Sequence, residues 1–238
     1  MNPKGKLYLI PSPLGDYEPG EVLPAPLFDA IAHIGTFVVE ETRTARRFLS
    51  KAGFRGRIDG LVFHELNEHS ADSDAEQYVR ILESGVDVGL ISEAGLPAVA
   101  DPGSVLVRLA HSRDIEVVPF VGPSSLMLAL MSSGMNGQSF AFVGYLPVKP
   151  EERRAQLKAL EKKSAQSGQT QIMIETPYRN DSLLKEMLAV LSPQTDICLA
   201  ANITCPDAFI RTRSVAQWRS AVPTIGKRPC VFLLSAKK

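Results

Sequence analysis

Short apolar runs separated by segments of helical period fill the first half of the chain. KLYLIP (6–11), TFVVEE (36–41), GLVFHE (60–65), DVGLIS (87–92) and IEVVPF (115–120) are continuous rather than alternating runs. Such runs suit strands buried on both faces. Between them, PAPLFDAIAHIG, RTARRFLSKAG, SDAEQYVRILESG and DPGSVLVRLAHSRD show helical spacing, and Gly85 closes the third as a helix C-terminus should be closed. Strand–helix alternation of this kind predicts an α/β layer around a mainly parallel sheet.

The texture changes after a further helix over 126–135. Strands are predicted at 139–148, 170–176, 195–202, 208–215 and 229–236, with helices at 150–166 and 178–192 between the earlier ones. The later strands crowd together, so neighbours there should run antiparallel. The prediction is an α/β domain over 1–120 and a mixed α+β domain over 121–238.

Hydrophobic residues make up 45% and charged residues 22% of the 238, which excludes disordered and fibrous classes. No apolar run reaches the ~18–20 residues of a transmembrane helix. MNPKGKLYLIPSP lacks the build of a signal peptide and reads as a first strand. Cys198, Cys205 and Cys230 are an odd number without CxxC spacing, so neither a disulfide framework nor a zinc site is indicated. A cytoplasmic protein is expected. The zero net charge conceals a division: residues 1–148 hold 11 basic and 18 acidic side chains, residues 149–238 hold 15 and 8. A positive half suits an anionic partner such as RNA.

Ligands of parallel sheets bind beyond the carboxyl ends of the strands, and four such ends carry unusual loops. PSPLGD (11–16) is neither a GxGxxG turn nor a P-loop. SEAGLPAVADPG (92–103) has the small residues and prolines that let backbone approach a flat ligand; its Asp101 and Pro102 read as N-cap and first helical position of the next helix. In VGPSSLMLAL, Ser124 or Ser125 can cap a helix whose free N–H groups face a ligand. VEETR (39–43) and HELNEH (64–69) end two successive strands. His64, Glu65, Glu68 and His69 suggest a metal, but the spacing is not HExxH and no soft ligand joins them, so no metal is expected. Neither a G-x-S-x-G elbow nor a Cys–His pair stands out.

Taken in order and spacing, LYLIPSPLGD, VEETRTARRFLSKAG, FHELNEH, LISEAGLPAVADPG, VVPFVGPSSLMLALMSSG, FVGYLPVKPEERR and MIETPYRNDSLL resemble the tetrapyrrole-methylase-like methyltransferases. Within that family they are most similar to the branch that 2′-O-methylates a cytidine ribose in bacterial small-subunit ribosomal RNA. The chain departs from the branch where Glu41 and Glu93 replace Asp, Leu96 replaces Thr and Leu66 replaces His. Ala201, Asn202 and Cys205 stand for Arg, Glu and Lys, and the branch's C-terminal extension is not expected here.

The resemblance implies a two-domain fold, S-adenosylmethionine in a cleft between the domains, and a homodimer acting on the small ribosomal subunit or its RNA. It implies donor contacts from Pro11, Leu14, Gly15, Glu93, Ala94, Gly95, Pro97, Ser124 and Ser125. In the second domain it implies Tyr145, Leu146, Glu175, Thr176, Pro177, Ala201, Asn202 and Pro229. A ribose hydroxyl is a poor nucleophile and needs a positioned base. Glu40, Glu41, His64 and Glu65 are the candidates, with Arg43 to orient a carboxylate, hold a phosphate or pair with Glu41. A tetrapyrrole or other small acceptor, and a donor-binding module without catalysis, are the alternatives.

Overall fold

A computed structural model describes residues 3–67, 70 and 72–236. The chain forms two compact units, residues 1–124 and 125–238. Between residues 121 and 148 there is no Lys, Arg, Asp or Glu, so the charge division follows the units: 11 basic and 18 acidic side chains, net −7, against 15 and 8, net +7.

The first unit is a five-stranded sheet: β1 (Leu7–Ile10), β2 (Thr36–Val39), β3 (Val62–Glu65), β4 (Val88–Ile91) and β5 (Val117–Pro119), in the order β3-β2-β4-β1-β5. Every pairing among them is parallel. The apolar runs are continuous because both faces are covered. Ile10, Phe37, Val39 and Ile91 pack with α1 (Pro19–Val22), α2 (Ala25–Ile31) and α3 (Thr42–Leu49). Leu7, Val38, Val88 and Leu90 pack with α4 (Asp72–Glu83) and α5 (Ser104–Ser112). Gly89 sits where a Cβ would lie 2.7 Å from both Ile10 and Phe37 side chains, so the middle of β4 has no room for one. The predicted helix over 43–53 is shorter than expected: α3 ends at Leu49 and continues as a wide turn, Ser50–Phe54, with Gly53 at φ +98°.

The second unit opens with α6 (Ser125–Ser133) and builds a mixed sheet of order β6-β7-β10-β8-β9. The strands are β6 (Phe140–Tyr145), β7 (Thr170–Ile174), β8 (Asp196–Ala201), β9 (Phe209–Ser214) and β10 (Cys230–Ser235). β6 and β7 are parallel; β10 is antiparallel to both β7 and β8, and β9 to β8. Residues alternate between two cores. Ile197, Leu199, Phe232 and Leu234 meet α7 (Pro150–Ser167), α8 (Asn180–Val190) and α9 (Val215–Ser220); Cys198, Ala200, Val231 and Leu233 meet α6. Two short helices, α1 and α9, lie outside the sequence expectation. Each is too short for a periodic signal, and α9 is held by a capping box between Ser214 and Gln217.

Candidate functional site

In the first unit, β1 and β4 are neighbours whose following connections leave toward opposite edges of the sheet, β1 to β2 and β4 to β5. Both connections start at the carboxyl ends of these two strands, the end at which such sheets bind ligands. The two loops that emerge there are tied together. Ser12 N–H donates to Gly95 O (2.9 Å), Gly95 N–H donates back to Ser12 O (3.1 Å), and Ser12 Oγ donates to Ser92 O (3.1 Å). Gly95 takes φ +79°, and a Cβ there would meet Leu14 at 3.1 Å and Pro123 O at 3.3 Å. At Gly122 a Cβ would lie 2.1 Å from Pro11 Cβ. Glycines at 95 and 122 therefore let three loops, after β1, β4 and β5, share one small volume. The segments carrying Pro11, Leu14, Gly15, Glu93, Ala94, Gly95 and Pro97 meet here. Beside them a cavity of about 330 Å³ is lined by residues including Gly15, Tyr17, Arg47, Lys51 and Glu93.

An acidic group borders these loops. Glu40, one residue beyond β2, accepts the Glu93 N–H at 2.7 Å. Burial pushes the Glu40 carboxyl above the usual carboxylate range, and the Asp101 charge adds to this. Partial desolvation and then the Glu40 charge likewise raise Glu93. Asp101 is not the N-cap that its place before the helix suggested. The residue flanking α5 is Gly103, and Asp101 Oδ1 instead accepts the N–H groups of Ala98 (3.0 Å) and Gly103 (2.7 Å), closing the loop before the helix.

Glu41 is the N-cap of α3. Its carboxylate accepts Arg43 N–H (2.8 Å), Thr44 N–H (2.7 Å) and the Thr44 hydroxyl (2.8 Å). The Thr44 hydroxyl and then these backbone donors hold its pKa down. Arg43 thus bonds Glu41 through its backbone, and its side chain is exposed. Glu65 reaches the same helix start from the edge strand, accepting the Thr42 hydroxyl at 2.7 Å and the Thr42 N–H at 3.2 Å. His64 faces Tyr78, ring centroids 5.0 Å apart; its Nε2 is buried without a partner, and burial lowers its pKa. The imidazole is accordingly neutral near pH 7. Thr42 and Thr44, which anchor Glu65 and Glu41, were missed by sequence reasoning; a Thr pair in the first turn after an acidic residue was the available signal. Glu68 and His69 lie outside the described residues, and among the described residues no group of three or more His, Cys, Asp or Glu is placed to hold a metal.

The second unit gathers its own set. Because β6, β7 and β8 point one way and β10 the other, the carboxyl ends of the first three lie beside the start of β10. Tyr145 is paired with Ile174, Cys230 with Ala201, and Asn202 N–H donates to Pro229 O at 2.9 Å. Tyr145, Leu146, Glu175, Thr176, Pro177, Ala201, Asn202 and Pro229 are thereby brought to one end of this sheet. Tyr145 is exposed and Leu146 buried. Asn202 adopts φ +47° and its amide donates to Asp207 at 2.8 Å, so the segment in which the related branch has charged residues is a tight turn here. Glu175 is buried; its Oε1 accepts Thr176 N–H and the Arg179 guanidinium, while its buried Oε2 has no partner. Ser124 closes the first unit, and Ser125 is the first residue of α6.

Loops of this kind at these strand ends, in this order, match one known pattern. A family model described as tetrapyrrole (corrin/porphyrin) methylases matches residues 6–217. The chain belongs to the tetrapyrrole methylase family. Among its family relatives, a protein of Micromonospora olivasterospora named ribosomal RNA small subunit methyltransferase I is 36% identical over 210 residues, which are 88% of this chain and 63% of that one. The chain therefore spans less than two thirds of that relative's length. The methyltransferase CobJ shares the fold with a TM-score of 0.66 at 18% identity, over 98% of this chain and 94% of CobJ. Uroporphyrin-III C-methyltransferase from Thermus thermophilus, solved in complex with S-adenyl homocysteine, does so at 0.59 and 15% identity, over 97% of each chain.

Proposed function

We propose that the chain is an S-adenosylmethionine-dependent methyltransferase acting on small-subunit ribosomal RNA, at the ribose 2′-hydroxyl of a cytidine. The observation that carries this reading is the three-loop cluster at the ends of β1, β4 and β5 with its raised carboxyls, set beside the name borne by the Micromonospora relative. The residues suit the donor. Backbone freed of side chains at Gly95 and Gly122 permits close approach, and the acidic group suits a cation. The buried, unpartnered Glu175 Oε2 is an acceptor awaiting a donor group. When bound, S-adenosylmethionine supplies a methyl group on a positively charged sulfur. In this reading Pro11, Leu14, Gly15 and Glu93–Pro97 hold it from the first unit, with Ser124 and Ser125 at the start of α6. Tyr145, Leu146, Glu175–Pro177, Ala201, Asn202 and Pro229 hold it from the second.

The chain's task is then to hold the acceptor hydroxyl in line and take its proton. Of the four base candidates, Glu41 and Glu65 are committed to the start of α3. Glu40, whose carboxyl burial raises above the usual carboxylate range, is the proposed base, with His64 the second candidate and Arg43 the group proposed to hold a phosphate. No helix among the described residues is long and apolar enough to cross a membrane. We place the enzyme in the cytoplasm as a homodimer.

The test is transfer of labelled methyl from S-adenosylmethionine to small ribosomal subunits from cells lacking this protein, with naked RNA and a porphyrinogen in parallel. Label in ribose of the subunit RNA, lost in Glu40→Gln with donor binding retained, supports the reading. Label in the porphyrinogen alone rejects the RNA assignment, and transfer undiminished in Glu40→Gln removes Glu40 as base.

A further inference from the structure

The second unit carries an aromatic side chain that no core claims. Tyr178 is 80% exposed, more than any other exposed large apolar or aromatic side chain of the described residues. It does not ride on a slack loop. It lies in the 3₁₀ turn Pro177–Arg179, directly after Glu175 and Thr176 at the end of β7. That turn is locked from both sides: Arg179 N–H donates to Thr176 O at 2.9 Å, and the Arg179 guanidinium donates to buried Glu175 Oε1 at 3.0 and 2.6 Å.

Lys227 stands over the ring, its Nζ 5.0 Å from the centroid, and its segment is equally built. Asp181 accepts the N–H groups of Ile225 (2.7 Å) and Gly226 (3.1 Å), and the Asn180 amide donates to Arg228 O (2.8 Å). Arg228 in turn donates to Ile225 O and Thr224 O at 2.8 and 2.7 Å. Three successive residues, Arg179, Asn180 and Asp181, thus fix the backbone on either side of the ring and of the lysine. Pro229, next to Arg228, is the residue whose carbonyl meets Asn202.

A single exposed ring is ordinary on a protein surface; this one differs in sitting on a hydrogen-bonded turn with a cation beside it. The adjoining ammonium, on a unit of net charge +7 (15 basic, 8 acidic), selects for an anionic partner. Flat, anionic and in need of an aromatic platform describes an unstacked nucleotide, and single-stranded RNA is read by such stacking.

From this geometry we infer that Tyr178 and Lys227 form a stacking platform for a nucleotide of the RNA acceptor, the ring taking the base and the ammonium an adjacent phosphate. The inference rests on the RNA reading above and assigns it a contact. Tyr178 is here a positioning residue: it holds the acceptor strand at the end of the sheet where the donor set gathers.

The experiment measures equilibrium binding of the intact protein to unmodified small-subunit RNA at several salt concentrations, alongside methyl transfer to the subunits. Tyr178→Ala should weaken RNA binding roughly tenfold and leave affinity for S-adenosylmethionine unchanged, while Tyr178→Phe, which keeps the ring, binds as the wild type does. Lys227→Ala should reduce the magnitude of the salt slope by about 0.7. If the wild type acts on RNA and Tyr178→Ala binds it equally well, the platform is wrong and the RNA reading stands. If the wild type binds and methylates no RNA, both fall. An acceptor preference for a carboxylated macrocycle, with binding lost in Tyr178→Ala, overturns the nucleotide in favour of that ligand.

Discussion

Gly122→Ala tests the loop cluster where it is tightest. A methyl group built at this position lies 2.1 Å from Pro11 Cβ and 2.4 Å from Pro11 Cγ, against a contact distance of about 3.5–4.0 Å between carbons. One loop must therefore yield by about 1.5 Å. Pro11 cannot rotate out of the way, since its ring fixes φ and it is buried. The displacement passes to Ser12, whose two backbone bonds to Gly95, at 2.9 and 3.1 Å, cannot lengthen that far and survive. Overpacking costs about 1–3 kcal/mol and the two lost bonds about 1 kcal/mol each. For a chain of this length that lowers the melting temperature by on the order of 10 °C. Scanning calorimetry measures the shift and titration with S-adenosylmethionine the loss of donor affinity. Gly137→Ala, where nothing lies within 4 Å of the new Cβ, is the control and should change neither. A Gly122→Ala protein with wild-type melting and wild-type donor affinity would refute the claim that these loops share one rigid packing.

Further expectations concern charge and thiols. The native state holds the Glu93 proton above the pH at which the unfolded chain, near 4.5, releases it, so this group's contribution to stability falls as pH rises from 4.5 through the raised value. Glu93→Gln should accordingly melt higher than the wild type at neutral pH and converge with it in acid; equal curves throughout would show that Glu93 is not under electrostatic pressure. Glu41 has the opposite sign. Its lowered pKa stabilises the fold above 4.5 and that stability is lost as pH falls through the native value. Glu41→Ala should therefore destabilise at neutral pH and lose its effect in acid, with Glu41→Gln intermediate, as thermal melts across pH would record. Burial pushes the Cys230 thiol up to about 12 and raises Cys198 as well, whereas Cys205 is partly exposed. Iodoacetamide at mildly alkaline pH should label Cys205 first in the folded protein; early labelling of Cys230, read by mass spectrometry, would contradict its burial.

Reading the fold from the sequence worked where burial imposes a simple rule. Runs such as TFVV and VGLI had to be covered on both faces, and they are, because helices flank both faces of the parallel sheet. The loops at the strand ends were legible as unusual for a related reason: glycine and proline are concentrated where backbone must turn sharply or pack closely. What the local pattern could not convey is which acidic residue does what. Glu40 and Glu41 are adjacent and chemically identical. One ends half-buried against the Glu93 N–H with its pKa raised, and the other is spent on the first turn of α3 with its pKa lowered. Asp101 looked like a helix cap from its neighbours and instead ties a loop.

Periodicity and turn chemistry thus specify elements, because each depends on residues a few positions apart. Strand order, the meeting of Ser12 with Gly95 eighty-odd residues away, and the lock of Asn180 and Asp181 on the segment carrying Lys227 depend on contacts between distant parts of the chain. Those contacts set desolvation and hydrogen-bond supply, and it is these that turn one carboxylate into a cap and its neighbour into a base candidate.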